Sequence, residues 1–118
     1  MTPLLGIARF TFHEGKVEEF KRLSERCLEV VRTKDTGTLR YDIFFNADES
    51  EAIVIEEYVD HAALDAHMAN IGEDLMGEIM TTGSVHGEVL GVVQDEVRAQ
   101  MEGSPVQVFS PFLSLGLS

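Results

Sequence analysis

Residues 4–93 alternate between two hydrophobic periodicities, and that alternation leaves few folds open. In Leu4–His13, LLGIARFTFH, a two-residue period sets Leu5, Ile7 and Arg9 on one face of a strand. Ala8, Phe10 and Phe12 take the other face. After the turn His13-Glu14-Gly15-Lys16 the period changes. Val17, Phe20, Leu23, Cys27, Val30 and Val31 recur at three- and four-residue steps, the buried stripe of a helix running to about Thr33. Glu18, Glu19, Lys21, Arg22, Glu25 and Arg26 form its solvated side, with pairs such as Glu18 and Arg22 one turn apart. Lys34-Asp35-Thr36-Gly37 ends the helix.

Two strands follow, Thr38–Asn46 and Ala52–Val59, joined by the polar loop Ala47-Asp48-Glu49-Ser50-Glu51 as a hairpin. Asp60 is the predicted N-cap of a helix over Ala62–Asn70, and a second helical piece runs from about Gly72 to Thr81. Ser84–Val93 returns to strand, with Val85, Gly87, Val89, Gly91 and Val93 on one face. Two glycines there mark close backbone approach or space left open. A short amphipathic helix, Gln94–Glu102, turns Val97 and Met101 inward. The uncharged tail beyond it has strand character over Pro105–Leu117, interrupted at Pro111.

The order βαββαβ is that of an α+β, ferredoxin-like sheet with helices on one face, here with an added C-terminal helix and strand. The chain reads as a single domain over residues 1–118, with a core at 4–93 and an extension at 94–118. The other sheet face, expected to carry Ile43, Phe45, Ile53 and Ile55, would be apolar and bare. A two-fold homodimer packing sheet on sheet, with the extension at the contact, closes it most simply.

Charge narrows the partners. The net charge is −12, and Arg98 is the only basic residue after position 40. Binding nucleic acid or an anionic membrane needs Lys and Arg in numbers, so neither is an expected partner. A small neutral, apolar or aromatic molecule is. No apolar run approaches the roughly 18 residues of a membrane helix. MTPLLGIARF lacks the layout of a secretory leader. With Cys27 alone, no intramolecular disulfide forms, and the expected location is the cytoplasm.

Ile53–Met68, IVIEEYVDHAALDAHM, resembles the antibiotic biosynthesis monooxygenase (quinol monooxygenase-like) family. There an apolar strand ends in Glu-x-Trp/Tyr, and the following helix carries Ala-Leu-x-x-His. The opening strand, Gly15-Lys16-x-x-x-Phe20 and Gly37-x-x-x-Tyr41 are similar too. The resemblance spans about residues 4–93 and implies a dimeric α/β barrel. It also implies a cofactor-independent monooxygenase acting on a small aromatic or quinol-like substrate, with no cofactor and no metal. Relatives of that kind also degrade haem or isomerise small sugars, and many have no known activity. The alternative is a non-catalytic, dimeric small-molecule-binding or stress-related protein of the same fold. Two departures are visible: Gly72 stands where many members have a second His, and Tyr58 where Trp is common.

His67 is the candidate catalytic residue. It borders the apolar stripe of its helix and points towards the sheet, where an imidazole accepts a phenolic proton near neutral pH. A histidine that merely ties helix to sheet by one hydrogen bond is the other reading. Tyr58, Asn46, Tyr41 and His86 are candidate substrate-binding residues. Each tyrosine is either a stacking wall or core with a satisfied hydroxyl. Asn46 either donates to a substrate carbonyl or shapes its turn. His86 either binds, oriented by Glu88 beside it, or sits on a half-exposed strand face. Arg9 needs a carboxylate partner, for which Glu56 and Glu57 are expected. His61 and His67 are six residues apart, which misses the same-face spacing of a metal pair.

Overall fold

The computed structural model describes residues 3–115. Its elements are β1 (Leu4–Phe12), α1 (Val17–Lys34), β2 (Thr38–Phe45), β3 (Glu51–Tyr58), α2 (His61–Met80), β4 (Gly83–Leu90), α3 (Asp95–Met101) and β5 (Val106–Phe109). The strands form one sheet in the order β2-β3-β1-β4-β5. Neighbours among the first four are antiparallel, and β5 lies parallel beside β4. This is the α+β, ferredoxin-like arrangement with the extra helix and strand appended.

The helical stripe of α1 does what its spacing predicts: Phe20, Leu23 and Cys27 are buried against the sheet. Phe10, Phe12 and Phe45 meet Phe20 at ring-centroid distances of 4.9, 4.8 and 6.0 Å. Asp60 caps α2 by accepting a hydrogen bond from the Ala63 amide. Its two helical pieces join at Gly72, whose φ of 83° breaks the regular helix without ending it. Few side chains tolerate that left-handed conformation, so glycine there sets the kink. Gly87 answers to close approach, because a Cβ on it would lie 2.2 Å from the Ile7 carbonyl oxygen.

Four details depart from the sequence reading. The register Ile43↔Val54 and Phe45↔Ala52 puts Ile43 and Phe45 on the helix-covered face. Ile53 and Ile55 lie on the other face, where Phe44 rather than Ile43 and Phe45 joins them. β4 stops at Leu90, since Gly91 adopts φ 145° and turns the chain out of the strand. Among the described residues of the tail, Val106–Phe109 alone forms a strand of the sheet. Residues 110–115 beyond Phe109 carry no regular structure, and 116–117, the end of the expected strand stretch, lie outside the described residues. Finally, Arg9 Nε pairs with Glu88 Oε1 at 3.2 Å rather than with Glu56 or Glu57. Glu56 points to the opposite face, and Glu57 sits opposite Leu5 at the far end of β1.

α3 and β5 close a second, smaller core. Leu4, Val89 and Val93 are buried there, with Leu64, Val97, Met101 and Val106 around them. Among the described residues, no helix is long and apolar enough to cross a membrane.

Candidate functional site

At one end of the sheet–helix interface the packing turns polar. β2 and β3 pair Tyr41 with Glu56, so both rows on which these residues sit face the helices. Tyr58 is two residues further along β3 on the same face. From above, α2 lowers His67, which is 2% exposed. Its ring centroid is 5.8 Å from that of Tyr41 and 5.4 Å from that of Tyr58. From the side, the end of α1 contributes Asp35, its C-cap residue.

Asp35 organises the cluster. Its Oδ2 lies 2.7 Å from His67 Nδ1 and accepts from Thr38 Oγ1 at 2.7 Å. Its Oδ1 accepts from Asn70 Nδ2 at 2.9 Å. Burial pushes this carboxyl up, but the hydrogen bonds from Asn70, Thr38 and His67 outweigh it and hold it below its ordinary value. An ionised Asp35 only accepts hydrogen bonds, so the proton between the two groups sits on His67 Nδ1. His67 Nε2 is then the ring's second nitrogen, 3.6 Å from Glu56 Oε1. The Tyr58 hydroxyl donates to that same Glu56 oxygen. Burial raises the Glu56 carboxyl above its usual range, partly countered by the Tyr58 hydroxyl and by His67. Burial likewise pushes the Tyr58 and Tyr41 hydroxyls far up, so both stay protonated donors at any ordinary pH.

His67, Glu56 and Tyr41 border an apolar cavity of about 110 Å³ between sheet and helices. Phe10, Ile43 and Val54 line its floor, and Met68, Met76 and Met80 its roof. Cys27 lies at its edge with its thiol against Tyr41, and burial raises that thiol, which keeps it unreactive. The arrangement offers an imidazole oriented by Asp35, a carboxyl beside it and an apolar space.

The sequence candidates divide accordingly. His67, Tyr41 and Tyr58 come together. Asn46 is spent in the β2–β3 turn, donating from Nδ2 to Ser50 and accepting from the Glu51 amide. His86 is opposite Arg9 on the face away from the helices, because its strand period puts it out of phase with Val85 and Gly87. Asp35, Asn70, Thr38 and the site role of Glu56 were not singled out in the sequence. Asn70 carried a signal, being one turn from His67 on α2. Asp35 carried none, since it reads as a helix stop. Among the described residues, no group of three His, Cys, Asp or Glu side chains is arranged to hold a metal ion.

The comparisons agree with this architecture. No curated protein matches the chain. Among solved structures, MupZ from Pseudomonas fluorescens is similar, with 24% identity and a TM-score of 0.82 over 98% of this chain and 89% of that one. Rv0793 from Mycobacterium tuberculosis matches at 24% identity and TM-score 0.64, over 79% of this chain and 97% of its own. SnoaB, a cofactor-independent oxygenase from Streptomyces nogalater, matches at 16% identity and TM-score 0.64, covering 80% and 96%. At these identities the likenesses speak to the fold. The model of the antibiotic biosynthesis monooxygenase family matches residues 3–71, more than half of the sequence, and the chain belongs to that family.

Proposed function

We propose that this protein is a cofactor-independent monooxygenase acting on a small aromatic or quinol-like substrate. The observation that supports this reading is the pairing of His67 Nδ1 with the buried, ionised Asp35, which leaves Nε2 as the acceptor at the cavity wall. A phenolic or hydroxy-carbonyl ligand stacked between the β2–β3 floor and the methionine roof gives its proton to Nε2. The tyrosine hydroxyls and Glu56 orient the ring. The resulting electron-rich anion reduces oxygen itself and forms a carbon–oxygen bond. The hydroperoxide then breaks its O–O bond with loss of water, leaving one oxygen atom on the substrate. All electrons come from the substrate. The chain's own residues bind, orient and hold a proton.

The open sheet face, with Ile53, Ile55 and Phe44, supports a homodimer packed sheet on sheet. The cytoplasm is the proposed setting, where Cys27 stays a thiol.

Oxygen uptake across a panel of quinols and anthrone-like phenols tests the activity, with His67→Ala as the control, shown folded by circular dichroism. Uptake by the native protein that falls at least a hundredfold in His67→Ala is the expected result. No uptake with any member of the panel counts against the reading. A second reading, a non-catalytic small-molecule-binding protein, is favoured by the near-complete burial of His67, which suits a purely structural tie. On that reading a phenol binds and is recovered unchanged.

A further inference from the structure

We propose that the α3–β5 extension makes the site elongated, so that its ligand carries an aromatic head in the cavity under α2 and an apolar arm running out between α2 and α3. This rests on the reading of that cavity as a ligand site.

Three neighbouring spaces share lining residues beneath and beside α2. The cavity beside His67 shares the walls Ala8 and Glu56 with a second space of about 130 Å³, bordered by Gly6, Tyr58 and Leu64. That space shares Leu64, Val89 and Val106 with a groove of about 510 Å³ between α2 and α3. Met68, on α2, fronts both the first cavity and the groove. An unbranched methionine is suited to yield between two such spaces.

The floor of these spaces is cut away by the sequence. β1 offers Gly6 and Ala8 along it. A Cβ at Gly6 would meet nothing closer than Glu56 Cβ, at 3.9 Å. The far wall exists only because the chain continues past β4: Val97 and Met101 of α3 and Val106 of β5 supply it. These elements lie beyond the family match at residues 3–71. Of the described tail residues, Phe112 and Leu115 lie out of the groove, 90% and 99% exposed.

The mouth of the groove selects by charge. Exposed Asp65 and Glu96 line it with Gln100 and His61, whose Nδ1 is 3.2 Å from Asp65 Oδ2. Two carboxylates at the opening disfavour an arm that ends in an anion. A neutral arm is therefore preferred over a fatty-acid-like one.

The test measures binding of 4-methylphenol, 4-octylphenol and 8-(4-hydroxyphenyl)octanoic acid to the full chain by calorimetry. The octyl arm is expected to tighten binding at least tenfold, and the terminal carboxylate to cancel most of that gain. Gly6→Val, which plugs the middle space, and Val97→Asn, which wets the groove, should each abolish the gain while 4-methylphenol binds as before. An equal gain in the native protein and both variants overturns the proposal. So that misfolding of a variant leaves the matter decided, the native protein is also photolabelled with 4-octylphenol carrying a diazirine at the chain end. Label on residues 95–101 or 61–68 supports the groove. Label on the open sheet face or on residues 110–118 overturns it. Oxygen uptake plays no part in either measurement, so a phenol that binds without being oxidised defeats the proposed activity and leaves this inference standing.

Discussion

The same two helices cover both ends of the sheet, yet the two ends are built on opposite principles. At one end Phe10, Phe12, Phe20 and Phe45 interlock, with Phe20 only 1% exposed. Their contacts are short-range and non-directional, and every ring excludes water from the next. At the other end Asp35, Thr38, Tyr41, Glu56, Tyr58, His67 and Asn70 occupy equivalent positions between sheet and helix. Burying such groups costs free energy unless their hydrogen bonds are made. Asp35 meets that demand with three donors, and Glu56 meets it only in part. The phenylalanine end holds the fold together, and the polar end holds specific atoms at specific places.

Mutations can separate the two ends, and the largest effect belongs to the first. Phe20→Ala removes the ring on which the other three converge. It should cost about 3–5 kcal/mol in urea unfolding. At the polar end, Asp35→Ala strands the His67 Nδ1–H, the Asn70 amide and the Thr38 hydroxyl, at a cost of about 1–3 kcal/mol. Unlike Phe20→Ala, it should also shift the His67 ring-nitrogen signals in ¹⁵N NMR, because the tautomer is no longer imposed. If those signals do not move, Asp35 does not set the tautomer.

pH sharpens the contrast within the polar end itself. The folded Asp35 carboxyl lies below its ordinary value, so its ionised form contributes stability. That contribution is complete above the unfolded value of about 3.9 and is lost as the pH falls through the folded value. Glu56 has the opposite sign. Its carboxyl is raised in the fold, so ionising it disfavours the native state. That cost is absent well below about pH 4.3 and grows as the pH rises towards the folded value. Urea midpoints between pH 3 and 8 should show Asp35→Asn losing the acid-side fall in stability. Glu56→Gln should gain about 1 kcal/mol at the alkaline end, since a neutral amide still accepts from Tyr58. Equal slopes in the two variants would remove the distinction.

The smallest expected effect is on the far side of the sheet. Arg9→Ala breaks a half-exposed pair with Glu88, worth about 0–1 kcal/mol. A cost above that range would mean the open face is covered, and sedimentation of native protein and variant would show whether a second copy covers it.

Much of the fold is legible in the chain, because local period encodes local geometry. The α1 stripe, the Asp60 cap, the break at Gly72 and the two-residue alternation of each strand all follow from neighbours a few positions apart. The alternation even placed His86 and Glu88 on the face away from Val85 and Gly87. It did not say how one strand's period aligns with the next. Ile43 was therefore expected on the wrong face, and Arg9 with the wrong carboxylate. Asn46 had two readings that differ only in what stands above the turn.

His67 was singled out from the helix it sits on, and Tyr41 and Tyr58 from their strands, but its partner Asp35 was not. Asp35 and His67 are 32 residues apart, and Arg9 and Glu88 are 79 apart. Nothing in a local pattern links such pairs. The order of elements, the buried stripes and the scarcity of cations after residue 40 belong to the linear sequence, since each depends on near neighbours or on sums. The pairing of His67 with Asp35, the rise of the Glu56 carboxyl and the space beside Gly6 arise only where helices and sheet converge. They depend on distances and burial that strand register and helix packing create.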